Sequence, residues 1–471
     1  MILTALVIVP LLGAALALIA GRVDPTYARI AAVVTALVTF ALTVAAAAQP
    51  TADTAAIGGS WLLRLDGLSL PLVGLASLLG IVAVLASWNE TRSPGAHFAL
   101  LLSLQAAVTL VFLADDLILF YVAWEAVLIP MFFLIGVWGH EGRRHAAMKF
   151  FIYTFAGSVL MLVGLLIVMF GTGQTHMAGL SLSAMDPGTR GLVFWLLVAG
   201  FAVKIPVFPL HTWLPDAHVE APTAGSIMLA GVLLKMGGYG LLRLALPLAP
   251  DAARAGAPVL AALGIIGIVY GAVVALGQTD LKRLVAYSSI AHMGFVVLAI
   301  AIGTPLALTA AMLVMVAHGL FAPLLFLLVG QLQDRTHTRE LARLGGITRP
   351  MPMWGAAFVF ASLASLGLPG LAGFPGELAT FLEGYSAYGW WIVLVALGVV
   401  LAGAYTLRAV RAVAFGPTAA EWTGLADTTA VELFAIAPLA VWIVAIGLRP
   451  SLVGDVVAPA AAALSRILGV G

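Results

Sequence analysis

The sequence predicts an all-α polytopic membrane protein with about fourteen transmembrane helices. Of its 471 residues, 62% are apolar and only 9% are charged, and the mean hydropathy is +1.12. A soluble domain usually carries about 25% charged residues. Apolar stretches recur along the chain at about 20 residues each, the length that crosses a hydrocarbon core of about 30 Å. Because backbone polar groups in lipid must be paired within their own segment, these stretches are expected to be helices.

The predicted spans follow one another with short connections. The first is retained as a helix, because no small-residue cleavage site followed by a soluble domain comes after it. The longest polar loops, near residues 172–189 and 415–430, are too short for a soluble domain, so we predict a single membrane domain over residues 1–471. The spans cover approximately residues 2–20, 30–48, 66–87, 97–114, 116–138, 147–171, 190–210, 222–246, 257–277, 284–303, 306–332, 353–386, 389–412 and 431–448.

The basic residues divide unevenly between the two faces that fourteen alternating crossings define. One face holds fourteen of the 22 Lys and Arg residues, the other holds six, and the remaining two, Lys204 and Lys235, fall within spans. Since basic loops remain in the cytoplasm, we predict both termini on the outer side. The net charge of +1 therefore reflects topology and does not indicate nucleic-acid binding. The more basic face comprises Arg22, Arg29, Arg92, Arg143, Arg144, Lys149, Lys282, Arg283, Arg335, Arg339, Arg343, Arg349, Arg408 and Arg411.

Two spans, the seventh and the twelfth, contain helix-breaking residues. Pro206 and Pro209 interrupt span seven, and Pro369 and Pro375, with nearby glycines, interrupt span twelve. The breaks are five spans apart, and paired interruptions of this kind are typical of inverted repeats in transporters. Because each repeat contains an odd number of spans, the second copy crosses the membrane in the opposite orientation to the first. We therefore predict a first five-helix repeat over residues 97–246 and an inverted second repeat over residues 257–412.

Four charged residues lie inside the predicted spans, where a charge costs about 2.5 to 3.5 kcal/mol on insertion scales. They are Glu125 in span five, Lys204 in span seven, Lys235 in span eight and Glu377 at the break of span twelve. Such residues usually face a protein interior, a partner charge or water, and they mark ion pathways. Either glutamate alternatively locks a helix pair, whereas two cations on adjacent spans stabilise nothing by themselves. The pattern therefore predicts ion transport.

Four histidines are weaker candidates for the same pathway. His318 lies in span eleven, His292 lies in span ten, and His211 and His218 flank the end of span seven. A neutral imidazole often packs with its nitrogens hydrogen-bonded, and at positions 211 and 218 an interfacial structural role competes with proton transfer. No metal site is expected, because these two histidines are seven residues apart across Pro215 and no carboxylate shares a ligand-spaced helix face with a histidine.

No sequence motif for a redox cofactor or a nucleotide is present. The chain contains no cysteine, which excludes disulfides, thiolate zinc sites and iron–sulfur ligation. It also lacks a glycine-rich dinucleotide motif after a strand and a Walker lysine loop. We therefore expect no cofactor in this chain, and the energy for transport must come from elsewhere.

Five segments together resemble the chain M family of antiporter-like membrane subunits of bacterial respiratory NADH–quinone oxidoreductase (complex I). The resemblance is dense from about residue 65 to 415. The run Asp334–Glu340 favours chain M, and the absence of a long C-terminal extension argues against the related chain L. The segments are Tyr121–Met131 (YVAWEAVLIPM), Lys204–His218 (KIPVFPLHTWLPDAH), Leu234–Gly240 (LKMGGYG), Lys282–Gly294 (KRLVAYSSIAHMG) and Asp334–Glu340 (DRTHTRE).

The resemblance implies a fold and roles for the buried charges. The implied fold has fourteen helices with inverted five-helix repeats and broken helices seven and twelve. Glu125 and Lys204 would form an ion pair, Lys235 would be the central proton-carrying lysine, and Glu377 would be the terminal carboxylate. The segment Phe374–Leu378 departs from the family pattern, with a proline where none is expected and leucine where an aromatic residue is usual.

The resemblance also implies a parent complex in the bacterial inner membrane. This chain would be a subunit of a proton-pumping NADH:quinone oxidoreductase, whose NADH, FMN, iron–sulfur clusters and quinone would belong to the complex and not to this chain. Its partners would be other membrane subunits, including related antiporter-like chains on either side, and membrane lipid. The alternatives are a subunit of a multisubunit Na⁺/H⁺ antiporter, a subunit of a membrane-bound hydrogenase, or a scaffold subunit that does not pump.

The expected path runs from the cytoplasm to the outside. Protons would enter near span seven, pass Lys204, Lys235 and His318 through water, and leave toward Glu377. Quinone reduction elsewhere in the complex would drive their movement. The direction of this path rests on the resemblance.

Overall fold

The computed structural model describes residues 1–49, 53–57 and 61–470, and of residues 53–57 it describes the backbone. Fourteen helical crossings and a final C-terminal helix follow one another in the described part. The crossings are α1 (Ile2–Ala20), α2 (Pro25–Ala47), α3 (Ser69–Ala86), α4 (Pro94–Leu113), α5 (Leu117–Ala126 and Leu128–Trp138), α6 (Arg143–Thr172), α7a (Pro187–Lys204), α7b (Trp213–Glu220), α8 (Thr223–Leu248), α9 (Pro250–Leu276), α10 (Leu281–Ile302), α11 (Pro305–Thr336), α12a (Pro352–Ser365), α12b (Gly373–Tyr388), α13 (Val393–Ala414) and α14 (Ala430–Leu448), and the final helix is α15 (Ser451–Leu468).

The count of crossings agrees with the prediction. Thirteen stretches in the described residues are long and apolar enough to cross a membrane. This set joins α12b and α13, includes α15, and omits α7a and the shorter α12a. Following the chain through its breaks gives fourteen crossings before α15, so α1 begins and α14 ends on the same side. We call this side the termini face and the other side the opposite face.

Several helices begin at a residue whose side chain caps the first turn. Each of these side chains accepts a hydrogen bond from a backbone N–H group that has no partner within the helix, which is why Asp and Thr are favoured there. In α14 the cap is reciprocal, because Glu432 also accepts a hydrogen bond from the Thr429 backbone N–H. The capping residues are Asp24 (α2), Asp116 (α5), Asp186 (α7a), Asp280 (α10), Thr304 (α11) and Thr429 (α14).

Three helices form the centre of the protein. The most apolar windows of α8 and α10 are both 94% buried, and that of α11 is 100% buried, whereas those of α2 and α14 are 33% and 28% buried. A helix that is apolar on all sides and buried on all sides lies within a bundle and not at its lipid surface. The central helices therefore place Lys235, His292 and His318 in the protein interior.

The predicted breaks occur in α7 and α12, and their limits refine the prediction. Pro206 and Pro209 lie between α7a and α7b, but Pro375 lies in the first turn of α12b, where proline removes no helical hydrogen bond. Pro369 lies within the second break, as predicted, together with Gly367 and Gly370, whose φ angles are +74° and +91°. Because five crossings separate the breaks, α7 and α12 run in opposite directions through the bundle.

Two further helices depart from regular α geometry. α5 is interrupted at Val127, three residues before Pro130, whose ring nitrogen cannot donate a backbone hydrogen bond. α8 contains two π-helical segments, Leu229–Leu233 and Leu241–Ala245, on either side of Leu234–Gly240. Segments of this kind are frequent at functional sites, and Lys235 lies between these two.

Two elements lie outside the predicted set of spans. A short antiparallel hairpin, β1 (Asp53–Ile57) and β2 (Trp61–Leu65), joins α2 to α3, with Asp53 opposite Leu65. The helix α15 runs along the termini face. Near its end, the Leu468 carbonyl oxygen accepts a hydrogen bond from Arg254, near the start of α9, at 3.0 Å. Near its start, the Val456 carbonyl oxygen lies against Gly67, just before α3. The overall all-α membrane fold is confirmed, with these two additions.

Candidate functional site

Lys204 is the last residue of α7a, immediately before the first break, and its side chain is 1% exposed. Its Nζ lies 5.6 Å from the centre of the Trp124 ring and 5.5 Å from the centre of the Phe150 ring. Within the described structure this atom has no hydrogen-bond partner. The ammonium group is therefore surrounded by aromatic faces, which attract a cation through their quadrupoles.

Glu125, the predicted partner of Lys204, lies at the end of the first segment of α5, next to Trp124. Its Oε1 atom is buried and, like Lys204 Nζ, has no hydrogen-bond partner in the described structure. The hydroxyl groups of Tyr121 and Ser158 lie beside its carboxyl group. Glu125 thus follows Trp124 in the chain and Lys204 lies over the Trp124 ring, but no direct hydrogen bond joins Glu125 to Lys204 in the described structure.

Lys235 has a different environment, although its side chain is fully buried as well. Its Nζ donates a hydrogen bond to the Ala230 carbonyl oxygen at 2.5 Å and lies 2.7 Å from His318 Nδ1. Ala230 belongs to the first π-helical segment of α8. An ammonium group only donates, so Nδ1 accepts when the lysine is charged, and the proton of neutral His318 is then on Nε2. This nitrogen is buried without a partner in the described structure.

His292 connects α10 to the break in α12. Its Nδ1 lies 2.7 Å from the Ser288 carbonyl oxygen, and its Nε2 lies 2.9 Å from the Ser365 carbonyl oxygen at the end of α12a. Both nitrogens face acceptors, so both hydrogen bonds form together only when the imidazole carries two protons. The same Nε2 lies 3.5 Å from Glu377 Oε1, and the ring centres of His292 and His318 are 5.5 Å apart.

Glu377 lies in the first turns of α12b, directly after the second break, and its side chain is 13% exposed. A Cβ atom added at Gly367 would come within 2.8 Å of its Oε2, so the break leaves room for the carboxylate. Ser288, Ser365 and Tyr405 line a neighbouring cavity of about 20 Å³, which is enough for one water molecule. Tyr405 is buried and its hydroxyl has no partner in the described structure, yet nothing in the sequence singled it out.

His211 and His218 lie at and after the first break and do not contact the other candidates directly. His211 Nε2 is 3.3 Å from the Tyr270 hydroxyl. The His218 ring is 0% exposed and stacks on Phe326 of α11, with ring centres 4.3 Å apart. Neither ring nitrogen of His218 has a hydrogen-bond partner in the described structure. Phe326 comes eight residues after His318 on α11, so His218 lies nearer the opposite face than His318 does.

Two basic residues near α7b were predicted only as members of the more basic face. Lys282 is 1% exposed, and its Nζ donates a hydrogen bond to the Ala221 carbonyl oxygen at 2.7 Å. Arg339 donates to the Val219 carbonyl oxygen at 2.8 Å. The last carbonyl groups of a helix lack helical partners and carry partial negative charge, so both cations stabilise the end of α7b. The available sequence signal was a lysine two residues after the N-cap residue Asp280.

A polar cavity opens near the opposite face, between the ends of α3 and α11 and the starts of α4, α8 and α14. Its volume is about 580 Å³, and its lining includes His97, Thr223, Gln331 and Asp334. The side-chain amide of Gln331 is buried and has no protein partner within the described residues. A polar space of this size accommodates water. Among the described residues, no group of three or more His, Asp or Glu side chains is arranged to hold a metal ion.

Comparisons with known proteins agree on one family. The family described as "NADH:quinone oxidoreductase/Mrp antiporter, TM" matches residues 114–402. The NAD(P)H-quinone oxidoreductase chain 4 1 of Synechococcus sp. (strain JA-3-3Ab) is 46% identical over 84% of this chain and 78% of its own. The NADH-quinone oxidoreductase subunit M of Pseudomonas aeruginosa is 43% identical over 88% of this chain and 84% of its own. A chain of respiratory complex I from Thermus thermophilus superposes with a TM-score of 0.91 at 30% identity, covering 100% of both chains.

Proposed function

The chain belongs to the NADH:quinone oxidoreductase/Mrp antiporter family, as an M-type antiporter-like subunit, and we propose that it moves protons across the membrane within an NADH–quinone oxidoreductase. Quinone reduction in other subunits would supply the energy, since the sequence offers no motif for a redox group of its own. Its partners would be related antiporter-like membrane subunits on either side. The membrane would be the bacterial inner membrane.

The observation that carries this proposal is a row of ionisable side chains through the buried centre of the protein. The row begins at Lys235, which lies 2.7 Å from His318. It continues to His292, whose ring centre is 5.5 Å from that of His318, and it ends at Glu377, 3.5 Å from His292. Groups that both accept and donate protons at these separations relay protons directly or through one water molecule.

The first half of the path requires water. Lys204 and Glu125 have no direct hydrogen bond to each other, and no described side chain bridges Lys204 and Lys235. The backbones are nevertheless close, because a Cβ atom added at Gly237, two residues after Lys235, would lie 2.6 Å from the Phe201 carbonyl oxygen of α7a. We infer that water between α7a and α8 transfers protons from Lys204 to Lys235.

The energy required is within the reach of one charge pair. Moving a proton against about 150 mV costs roughly 3.5 kcal/mol, at about 2.3 kcal/mol per 100 mV. Two unit charges about 5 Å apart interact by about 3 kcal/mol at an effective dielectric constant of about 20. Movement of the Glu125 carboxylate toward or away from Lys204 would therefore change the cost of proton release by an amount comparable to this barrier.

The test is proton pumping by inside-out membrane vesicles that carry Lys204→Met, with NADH-to-quinone electron transfer measured on the same preparation. Methionine has a similar length but no charge, so we expect a fully assembled complex in which pumping is abolished. If the two processes are tightly coupled, electron transfer falls as well. The matched control is Arg411→Met, which removes an exposed cation at the end of α13.

Two results would count against this role. Normal pumping by an assembled Lys204→Met complex would remove Lys204 from the path and leave the chain as a scaffold. Loss of assembly in that variant, with an intact Arg411→Met complex, would instead assign Lys204 a structural role.

A second candidate is sodium–proton exchange, because the matching family includes the Mrp antiporters. A lysine path carries protons readily but does not prevent sodium from binding elsewhere in a complex. Transport by the purified complex with and without sodium distinguishes the two candidates. Pumping that is unchanged in sodium-free buffer favours the proton-only function, whereas pumping that requires sodium favours exchange.

A further inference from the structure

An apolar cavity lies at membrane depth, away from the row of ionisable side chains. It occupies the half of the protein near the termini face, between the ends of α2 and α14, the start of α3, the middle of α11 and the first turns of α15. Its volume is about 310 Å³. Its lining is almost wholly hydrocarbon and includes Phe40, Leu70, Leu320, Trp442 and Val453.

The one hydroxyl group in the lining is already satisfied. The hydroxyl of Thr43 is directed back to its own helix, where it donates a hydrogen bond to the Thr39 carbonyl oxygen at 2.9 Å. A water molecule in the cavity would therefore find few hydrogen-bond partners. Apolar cavities in proteins remain dry and take up apolar ligands even when their volume is only about 150 Å³. A space twice as large and lined in this way is suited to hydrocarbon.

Gly74 keeps this space open. It lines the cavity from within α3, and a Cβ atom added there would meet no atom within 4 Å. A glycine in a helix interior costs roughly 0.5 to 1 kcal/mol relative to alanine, so it usually has a packing reason. Gly80 in the same helix has one, because its Cβ would lie 2.4 Å from Gln105 Oε1. Gly74 has no such neighbour, and its effect is to leave room beside α3.

The cavity opens toward lipid and has a cation beside its mouth. Val44, Trp442 and Leu452 line the cavity and are 56%, 39% and 41% exposed. Arg449 lies between α14 and α15, three residues before Leu452. It is exposed, its Nε lies 3.4 Å from the Ser451 hydroxyl, and within the described residues it forms no ion pair. Arginine is well suited to pair with a phosphate group.

We propose that this cavity binds one acyl chain of a phospholipid whose phosphate pairs with Arg449. The chain would lie beside Gly74 and Trp442, and α15 would lie at the level of the headgroup. Hydrocarbon chains are the most abundant apolar ligands at this depth, and a lipid joins the two features that the structure places together, an apolar space and an unpaired cation at its mouth. The site is independent of the proton path.

The test uses the purified complex and a phosphatidylglycerol that carries a photoreactive diazirine on one acyl chain. After irradiation, peptides that contain Phe40 or Trp442 are examined for attached lipid. In Gly74→Leu the added side chain fills the cavity, and we expect cross-linking to fall by about tenfold, which corresponds to 1.4 kcal/mol in binding free energy. The matched control is Gly191→Leu on α7a, where an added Cβ also meets nothing within 4 Å.

Further variants keep the proposal testable if Gly74→Leu does not assemble. Gly74→Ala should lower cross-linking by a smaller factor, and Arg449→Gln should weaken it without altering the cavity. Unchanged cross-linking in these assembled variants would overturn the proposal. So would the absence of lipid on the lining peptides of the wild-type complex, or cross-linking of a partner polypeptide to Trp442 in place of the lipid.

Discussion

The two buried lysines differ in what surrounds their ammonium groups. Lys204 is surrounded by the faces of Trp124 and Phe150 and has no hydrogen-bond partner among the described residues. Lys235 contacts a backbone carbonyl oxygen and His318. A cation over aromatic rings gains about 2 kcal/mol or more when it is desolvated, and that gain does not depend on a proton acceptor. Lys204 is thus suited to respond to a moving carboxylate, and Lys235 to pass a proton onward.

Asp66 anchors the start of α3 to α8 through a pair of hydrogen bonds. Its two oxygens each accept a hydrogen bond from Arg243 at 2.7 Å. Burial raises the pKa of Asp66, but Arg243 and two backbone N–H groups outweigh this effect, so the pKa lies below the ordinary value of an aspartic acid. A carboxylate whose folded-state pKa is lowered stabilises the protein above its unfolded-state pKa, and this stability is lost as the pH falls through the folded-state pKa.

We therefore expect Asp66→Asn to lower the thermal stability of the purified complex at neutral pH and to flatten its dependence on acidification. Arg243 is 11% exposed and keeps its hydrogen bond to the Tyr239 hydroxyl, and the loss of the carboxylate from this largely buried ion pair still costs about 3 kcal/mol. The measurement is thermal unfolding between about pH 6 and pH 3, because the contribution of Asp66 is lost only as the pH falls below its unfolded-state pKa of about 3.9. Asp251→Asn is the control, since Asp251 is 49% exposed and exposed ion pairs contribute about 1 kcal/mol or less. Equal effects of the two substitutions would contradict the prediction.

At the scale of elements, the break in α12 depends on a glycine that L-amino acids replace poorly. Gly367 has a φ angle of +74°, and a Cβ atom there would approach Glu377 Oε2 to 2.8 Å. A non-glycine residue in this conformation costs about 1 to 3 kcal/mol. We expect Gly367→Ala to displace the Glu377 carboxylate and so to lower the rate of proton pumping. Each 1.4 kcal/mol added to the barrier lowers the rate about tenfold.

The control for this variant is Gly403→Ala on α13, where the added Cβ would meet Leu366 Cδ1 at 3.6 Å, an ordinary contact. Pumping and electron transfer are measured on both variants in the same inside-out vesicles. Wild-type pumping by an assembled Gly367→Ala complex would show that the break does not position Glu377. A similar loss in Gly403→Ala would show that helix packing, and not the break, limits activity.

The sequence predicted the elements better than their irregularities. Apolar length identified fourteen crossings, and proline and glycine identified both breaks, because these effects are local. The π-helical segments around Lys235 were not predicted, since nothing in the pattern of α8 distinguishes them from α-helix. The hairpin between α2 and α3 was not predicted either, because its strands are only five residues long and lie in a short connection between two spans. The tail after α14 forms α15 through contacts with the distant starts of α3 and α9.

At the scale of the whole molecule, the sequence identified the ionisable members of the row but not their neighbours. Burial of a charge in an apolar span is visible in a window of twenty residues. The pairing of Lys235 with His318 joins positions 83 residues apart, which no local pattern in the sequence shows. Tyr405 escaped notice because a tyrosine in an apolar helix usually packs without a functional role. The fold alone brings it to the small cavity that Ser288 and Ser365 also line.

The orientation of the whole chain is directly testable because the protein contains no cysteine. Single cysteines are introduced at two exposed sites, Gln174→Cys between α6 and α7a and Glu421→Cys between α13 and α14. The excess of basic residues on the opposite face predicts that this face is cytoplasmic. A membrane-impermeant maleimide should therefore label Glu421→Cys in inside-out vesicles and Gln174→Cys in right-side-out vesicles, as detected by a mass shift of this chain. The reverse pattern would place both termini in the cytoplasm, and protons would then leave Glu377 toward the cytoplasmic side, which would contradict the proposed direction of pumping.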